Sequence, residues 1–331
     1  MNDFSSQVKH EILRFDSYGD IEPLCLEVFR YQAEKNLVYK QYLKLLRINS
    51  SNIRRLEEIP FLPIRFFKSK EVICSSLKPE KVFLSSGTTG QQRSRHLVAD
   101  LVFYETVTLK IFESFFPSVD KPVILALLPT YSDNPQSSLL HMIGYFQDQY
   151  NCQGYQYLPD DFPKLRDILS NLVENDKPIF LWGVTYALLD FANFIQKPFT
   201  KVNIVETGGM KGTRSELTKM EVYHALTSCF GVQSVISEYG MGELLSQAYA
   251  LQDGEFTTPW WMKVLVRSVN DPFETSQAAG RGAMNIIDLA NIDSCCFVET
   301  EDLGELMPDG KFKIYGRIEH AEIRGCNLMW I

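Results

Sequence analysis

The 331-residue chain has no Cys-x-x-Cys pair and no histidine cluster beside any of its seven cysteines, Cys25, Cys74, Cys152, Cys229, Cys295, Cys296 and Cys326. Neither a zinc centre nor a disulfide framework is indicated, and reduced thiols are expected. Positive charge is not in excess. A formal net charge of -8 argues against a nucleic-acid surface, although a local basic pocket for a small anion remains open. The N-terminus lacks a basic segment followed by an apolar one, and no apolar run approaches the roughly 20 residues that span a bilayer. A cytoplasmic protein without a membrane span is expected. Internal repeats, low-complexity segments and an obvious linker are also missing. What remains is an ordinary globular composition, 45% apolar and 22% charged, able to bury a sizeable core.

Periodicity gives a coarse architecture. Leu24, Val28, Tyr31, Leu37, Tyr42 and Leu45 fall near helical spacing and predict one or two amphipathic helices over Glu22–Leu46. The prolines of Ile59–Ile64 favour an extended segment. Pro122–Leu128, Pro178–Gly183 and Lys201–Glu206 read as buried parallel strands, and Gln233–Ser237 as a further strand. The intervening stretches Leu101–Phe116, Ser137–Tyr150, Phe162–Asn175, Thr185–Ile195 and Glu216–Phe230 read as helices, so the expected class is α/β. From Phe256 onward, short alternating segments and the Asp309–Gly310 turn predict a small antiparallel β element.

The densest chemistry lies behind the apolar run Lys81–Leu84, in Ser85-Ser86-Gly87-Thr88-Thr89-Gly90-Gln91-Gln92-Arg93-Ser94-Arg95-His96. Gly87 and Gly90 permit close backbone approach to an anion, the hydroxyls add donors, and Arg93 and Arg95 add charge, which together read as a phosphate-gripping loop. The Gly-Lys-Ser/Thr ending of a Walker P-loop is not there. A polar surface turn is the competing explanation. In Tyr239-Gly240-Met241-Gly242-Glu243 the acid suits Mg2+ and the tyrosine suits an adenine ring, unless Glu243 merely opens an exposed helix. Gly208 and Gly209 follow a predicted strand at the end where α/β sheets place ligands, and would let backbone approach adenine and an acyl carboxylate. Trp182, Gly183, Tyr186 and the stripe Leu139, Leu140, Met142, Ile143 could line an acyl tunnel or be core.

Taken in order, the loop, Ser237–Glu243, and Thr300–Leu306 with Gly316–Arg317 resemble the motifs of adenylate-forming enzymes over most of the chain. Pro60–Lys68, the Ser-Arg-His ending of the loop and Glu322–Cys326 narrow the resemblance to the acyl-protein synthetases of the bacterial bioluminescence fatty-acid reductase (LuxE type) and, more distantly, phenylacetate-CoA ligase. The resemblance implies an adenylate-forming N-terminal core of stacked α/β subdomains plus a small β element over residues 1–315, with 316–331 as hinge and stub and the mobile C-terminal subdomain absent. It implies ATP- and Mg2+-dependent activation of a fatty or aromatic carboxylic acid, transfer of the acyl group to a protein thiol, and a possible acceptor or reductase partner. An acyl- or aryl-CoA or carrier-protein ligase and a non-catalytic adenylate-binding protein are the alternatives.

By the same resemblance Ser85, Ser86, Gly87, Thr88, Thr89 and Gly90 wrap the β- and γ-phosphates, with Thr88 catalytic beside the metal. Arg93 and Arg95 stand where a lysine is usual. Tyr239, Gly240 and Met241 face the nucleotide, and Glu243 is the metal ligand. Asp302 grips the ribose hydroxyls, with Glu299 and Glu301 making a solvated acidic turn the alternative, and Arg317 adds a second contact. Gly242 departs from the pattern, which has a threonine touching the α-phosphate. Cys326, preceded by Arg324, is the candidate acyl acceptor, since a neighbouring cation lowers a thiol's pKa, with a structurally idle cysteine as the competing reading.

Overall fold

The computed structural model describes residues 4–85, 92–128, 134–152, 156–157, 161–174, 177–195, 197–208 and 217–318. The chain opens with α1 (Phe4–Arg14), α2 (Glu22–Lys35) and α3 (Leu37–Leu45), then β1 (Leu62–Pro63), α4 (Phe66–Ser69), β2 (Lys81–Leu84) and β3 (Arg95–Val98). There follow α5 (Leu101–Phe115), β4 (Val123–Leu127), α6 (Ser138–Gln149), β5 (Gln156–Tyr157), α7 (Phe162–Val173), β6 (Ile179–Val184), α8 (Thr185–Phe194), β7 (Val202–Thr207), α9 (Lys219–Phe230) and β8 (Ile236–Tyr239). The last third is β9 (Ala248–Ala250), β10 (Met262–Arg267), β11 (Thr275–Ser276), β12 (Gly280–Asp288), β13 (Phe297–Leu306) and β14 (Phe312–Arg317). Two compact units result: the first is Met1–Val107 with Gly242–Ser246 and Thr257–Ile331, the second Thr108–Met241 with Gln247–Phe256.

The first unit is built on a six-stranded sheet of order β1-β13-β12-β10-β11, with β14 added to β13. Alternate residues of β13 are buried from Val298 to Leu306, the period-2 signature of a strand with one covered face. Gly310, at φ 84°, allows the turn that returns β14 antiparallel to β13. β1 pairs parallel with β13, so this element is larger than the small appendage expected, and it recruits a strand from more than 200 residues upstream. Phe297 is packed by Phe29 at 5.8 Å, Phe61 at 6.1 Å and Tyr39 at 6.2 Å, and burying each such side chain contributes about 1.5–3 kcal/mol. Gln32 of α2 crosses to the chain after β12, donating to the carbonyls of Asn291 (3.0 Å) and Ile292 (2.9 Å) and accepting from the Cys296 amide (2.8 Å).

The second unit carries the parallel sheet, of order β5-β4-β6-β7-β8-β9, in which only β9 runs antiparallel. Both faces are covered, which is why Val123–Leu127 reads as an uninterrupted apolar run and is buried throughout. Phe112 lies 5.2 Å from both Phe146 and Phe180 and 5.6 Å from Trp182. Trp182, Leu140, Met142 and Ile143 are therefore core residues, whereas Tyr186 is exposed. α9 starts with a reciprocal cap between Thr218 and Glu221 and ends at Gly231, φ 70°. The following strand is Ile236–Tyr239 rather than Gln233–Ser237, because the chain leaving Gly231 needs four more residues before it pairs with β7.

Candidate active site

In the first unit β2 and β3 form a two-stranded ladder pairing Phe83 with His96 and Leu84 with Arg95. The ladder continues at its open end, where the Ser85 amide donates to the Ser94 carbonyl (3.0 Å) and the Ser94 amide to Ser85 Oγ (3.0 Å). Arg93 Nε donates to the Ser85 carbonyl at 2.7 Å. These contacts fix both ends of the expected phosphate loop. Ser86, Gly87, Thr88, Thr89 and Gly90 themselves lie outside the described residues.

The Gly242–Glu243 turn belongs to the same unit. No helix starts here, and Glu243 is only 5% exposed, so the surface-acid alternative does not hold. Burial pushes the Glu243 carboxyl above its ordinary range, against a hydrogen bond from Ser94 and the attraction of Arg317, with Asp302 adding to the rise. Gly242 has no special backbone conformation, and a Cβ placed on it would lie at ordinary contact distance, 3.6 Å, from Ser85 Cα. Its carbonyl meets Nδ1 of His96 at 2.8 Å. His96 is buried and edge-on to Phe67, and desolvation brings its pKa down to about 4. The imidazole is thus neutral at pH 7, and because a carbonyl only accepts, Nδ1 carries the proton.

Asp302 and Arg317 face each other across the β13–β14 ladder, with Arg317 Nε 3.3 Å from Asp302 Oδ1. Asp302 is 6% exposed and sits on a strand rather than in a solvated turn; the arginine side chain is largely in solvent. Glu299 lies 3.7 Å from Arg267 on the same sheet. One unit thereby brings together Ser85 and Ser94 at the loop's base, the buried Glu243, and the Asp302–Arg317 pair. Arg95 sits partly exposed on β3.

Tyr239, Gly240, Met241 and Gly208 lie in the second unit. Tyr239 is buried with its ring 5.7 Å from Phe256. A Cβ at Gly240 would come within 2.5 Å of Glu238 Oε1, so a larger residue there would displace the end of that side chain, and Met241 follows it. Gly208 follows β7 in the left-handed region at φ 83°, with its carbonyl accepting from Thr185 Oγ1 at 3.0 Å. Gly209 lies outside the described residues.

Sequence reasoning missed a polar network at the carboxyl ends of β7 and β8. Glu206 accepts from Thr185 Oγ1, from Ser237 Oγ (3.1 Å) and from Lys219 Nζ (3.1 Å), and Ser237 is joined to the Tyr223 hydroxyl at 2.7 Å. Glu238, hydrogen-bonded by Thr207 Oγ1, is pushed up to about 7, chiefly by burial. The available signal was an acid near the end of each of two neighbouring apolar strands.

Cys326 lies outside the described residues. Of the other six cysteines, Cys25, Cys74, Cys152, Cys295 and Cys296 are buried and Cys229 is partly exposed. Burial pushes the thiols of Cys25 and Cys295 up to about 12. Among the described residues no group of three or more His, Cys, Asp or Glu side chains is arranged to hold a metal, and no helix is long and apolar enough to cross a membrane.

No family model and no curated protein matches the chain. Similar solved structures include the luciferase-like enzyme from the nonluminescent mealworm Zophobas morio, at 16% identity and TM-score 0.46 over 72% of this chain and 57% of that one. An anthranilate CoA ligase in complex with anthranoyl-AMP is similar at 13% identity and TM-score 0.47, over 71% of this chain and 46% of that one. O-succinylbenzoate Coenzyme A synthetase from Bacillus subtilis, in complex with AMP, is similar at 13% identity and TM-score 0.49, over 74% of this chain and 64% of that one. These neighbours are adenylate-forming enzymes. The chain spans between 46% and 64% of their lengths.

Proposed function

We propose that the protein activates a carboxylic acid with ATP, giving an acyl-adenylate and pyrophosphate, and passes the acyl group to a protein thiol. In the first step a carboxylate oxygen bonds to the α-phosphorus and the bond from that phosphorus to the β-phosphate bridge oxygen breaks. The observation that carries the proposal is the convergence, within one unit, of the loop base at Ser85 and Ser94, the buried acid Glu243, and Asp302 with Arg317. The loop would grip the β- and γ-phosphates, and the two oxygens of Asp302 suit the vicinal hydroxyls of ribose.

Mg2+ is generally held by one or two carboxylates and completes its shell with substrate phosphate and water. Glu243, with Asp302 within electrostatic reach, fits that donor set, and a bound cation would relieve the cost of burying the Glu243 charge. Bound there, Mg2+ would offset charge on the departing pyrophosphate.

For the second step, the five buried cysteines make poor acceptors because they are inaccessible, and burial also raises the thiols of Cys25, Cys152, Cys295 and Cys296, leaving little thiolate. Cys229, which is partly exposed, and Cys326 remain; of the two, Cys326 beside Arg324 is the acceptor assigned here, its sulfur attacking the acyl carbonyl as AMP leaves. Incubation with ATP, Mg2+ and a labelled acid should give a hydroxylamine-sensitive adduct mapping to Cys326. Pyrophosphate exchange without protein label would transfer the acceptor role to CoA or a carrier protein; absence of exchange with every acid tried would leave a nucleotide-binding protein.

A further inference from the structure

The short segment Gly242–Ser246 is held by buried side chains from three distant parts of the first unit. His96 of β3 donates through Nδ1 to the Gly242 carbonyl at 2.8 Å. Asn291, just after β12, donates through Nδ2 to the Glu243 carbonyl at 2.9 Å. Asp288, the last residue of β12, accepts through Oδ2 from the amides of Leu245 and Ser246, both at 3.0 Å, and through Oδ1 from Ser246 Oγ at 2.7 Å and the Ala290 amide at 3.1 Å. Trp261 Nε1 donates to Ser246 Oγ at 2.8 Å. His96, Asn291 and Asp288 are each 1% exposed or less.

Two carbonyls and two amides of these five irregular residues are thus satisfied by buried side chains rather than by a helix or a strand ladder. Buried networks of this kind rigidify what they hold; Asp288 accepts four hydrogen bonds, while Asn291, whose Nδ2 donates to Glu243, keeps a buried Oδ1 without a hydrogen-bond partner. The partners bracket Glu243: one holds the residue before it, one holds its own carbonyl, and one holds the two residues beginning two positions after it.

We infer that His96, Asn291 and Asp288 are positioning residues that fix the backbone on both sides of Glu243, presenting its carboxylate to a metal-bound nucleotide without rearrangement. The inference rests on the proposed role of Glu243 and extends it to residues that touch neither metal nor substrate. Ordering of this type is how outer partners of a ligand act, and their loss typically costs ten- to a hundredfold in metal affinity. His96 serves as a donor at one nitrogen, so an amide that places N–H at the same point will replace it, which would not hold for a proton-transferring imidazole.

The test compares His96→Leu, His96→Asn, Asn291→Ala and Glu243→Gln with the parent by two readouts: Mg2+ titration of ATP–pyrophosphate exchange, and hydrogen exchange of the peptide covering residues 242–246. His96→Leu and Asn291→Ala should raise the Mg2+ requirement roughly tenfold and speed exchange of the Leu245 and Ser246 amides, with other peptides of the unit unchanged. His96→Asn should restore both to within about threefold of the parent, an allowance for imperfect amide placement. Parent-like Mg2+ dependence in His96→Leu and Asn291→Ala, alongside a shifted Glu243→Gln, would overturn the inference alone. A His96→Asn variant as defective as His96→Leu would also overturn it. If Glu243→Gln itself titrates like the parent, the role of Glu243 falls first.

Discussion

Replacing Glu238 by glutamine should alter stability in a way that depends on pH and can be worked from the structure. Glu238 is 7% exposed at the end of β8, opposite Thr207 in the ladder, and Thr207 Oγ1 donates to it. Burial, reinforced by the charge of Glu206, moves its pKa from an ordinary 4.5 to about 7. The folded protein therefore holds this proton more tightly than the unfolded chain. The associated stability is full below pH 4.5 and is lost as pH rises through 7. A change of that size corresponds to about 3 kcal/mol once the loss is complete, near pH 8. Glutamine keeps the shape and an acceptor for Thr207 but cannot ionise. Glu238→Gln should match the parent at pH 4.5 and exceed it by about 3 kcal/mol at pH 8, roughly two orders of magnitude in the opening equilibrium. Hydrogen exchange of peptides covering β7 and β8, with parent and variant compared at equal pH, reads this locally. Equal protection at pH 8, or the same difference at both pH values, would refute the buried, proton-retaining carboxyl.

Three further outcomes are expected. Gly242→Thr should fold normally, since a Cβ there meets only ordinary contacts, and should raise the rate of pyrophosphate exchange by supplying a hydroxyl near the nucleotide; a single transition-state donor is commonly worth about 10²–10³ in rate. An unchanged or reduced rate in a folded variant would place that hydroxyl away from the reacting phosphate. Thr88→Ala and Gly87→Val should cut exchange strongly while leaving thermal unfolding near that of the parent, and full activity in both would remove the loop from the site. Cys326→Ser should retain exchange and lose the hydroxylamine-sensitive adduct, as peptide mass spectrometry would show; label persisting in the variant would point to another cysteine.

Much of the architecture was legible because the physics that makes a parallel strand also writes its sequence. β4, β6 and β7 are covered on both faces, so their apolar runs stand out against the helices between them. β8 was misplaced by three residues at its start because Gln233–Val235 shares the local character of the strand, and only pairing with β7 sets where the ladder begins. β1 is two residues long and owes its existence to β13, a partner that local periodicity does not reveal. At the site, the acids and glycines were visible as residue types. The burial of Glu243 was not, since the same Gly-rich context precedes exposed helix starts. The roles of Asp288 and Asn291 were invisible as well, because neither lies in a motif and both act through the path of the chain after β12.

The central claim, adenylation at a site built around Glu243, Asp302 and the loop after β2, is tested most directly by ATP–pyrophosphate exchange across a panel of carboxylic acids of varied length and aromaticity. It registers the first step whatever the acceptor. Exchange that requires Mg2+ and a particular class of acid, and that falls sharply in Thr88→Ala and Glu243→Gln, is the predicted result. No exchange with any acid, from protein that is folded and binds ATP, would contradict it.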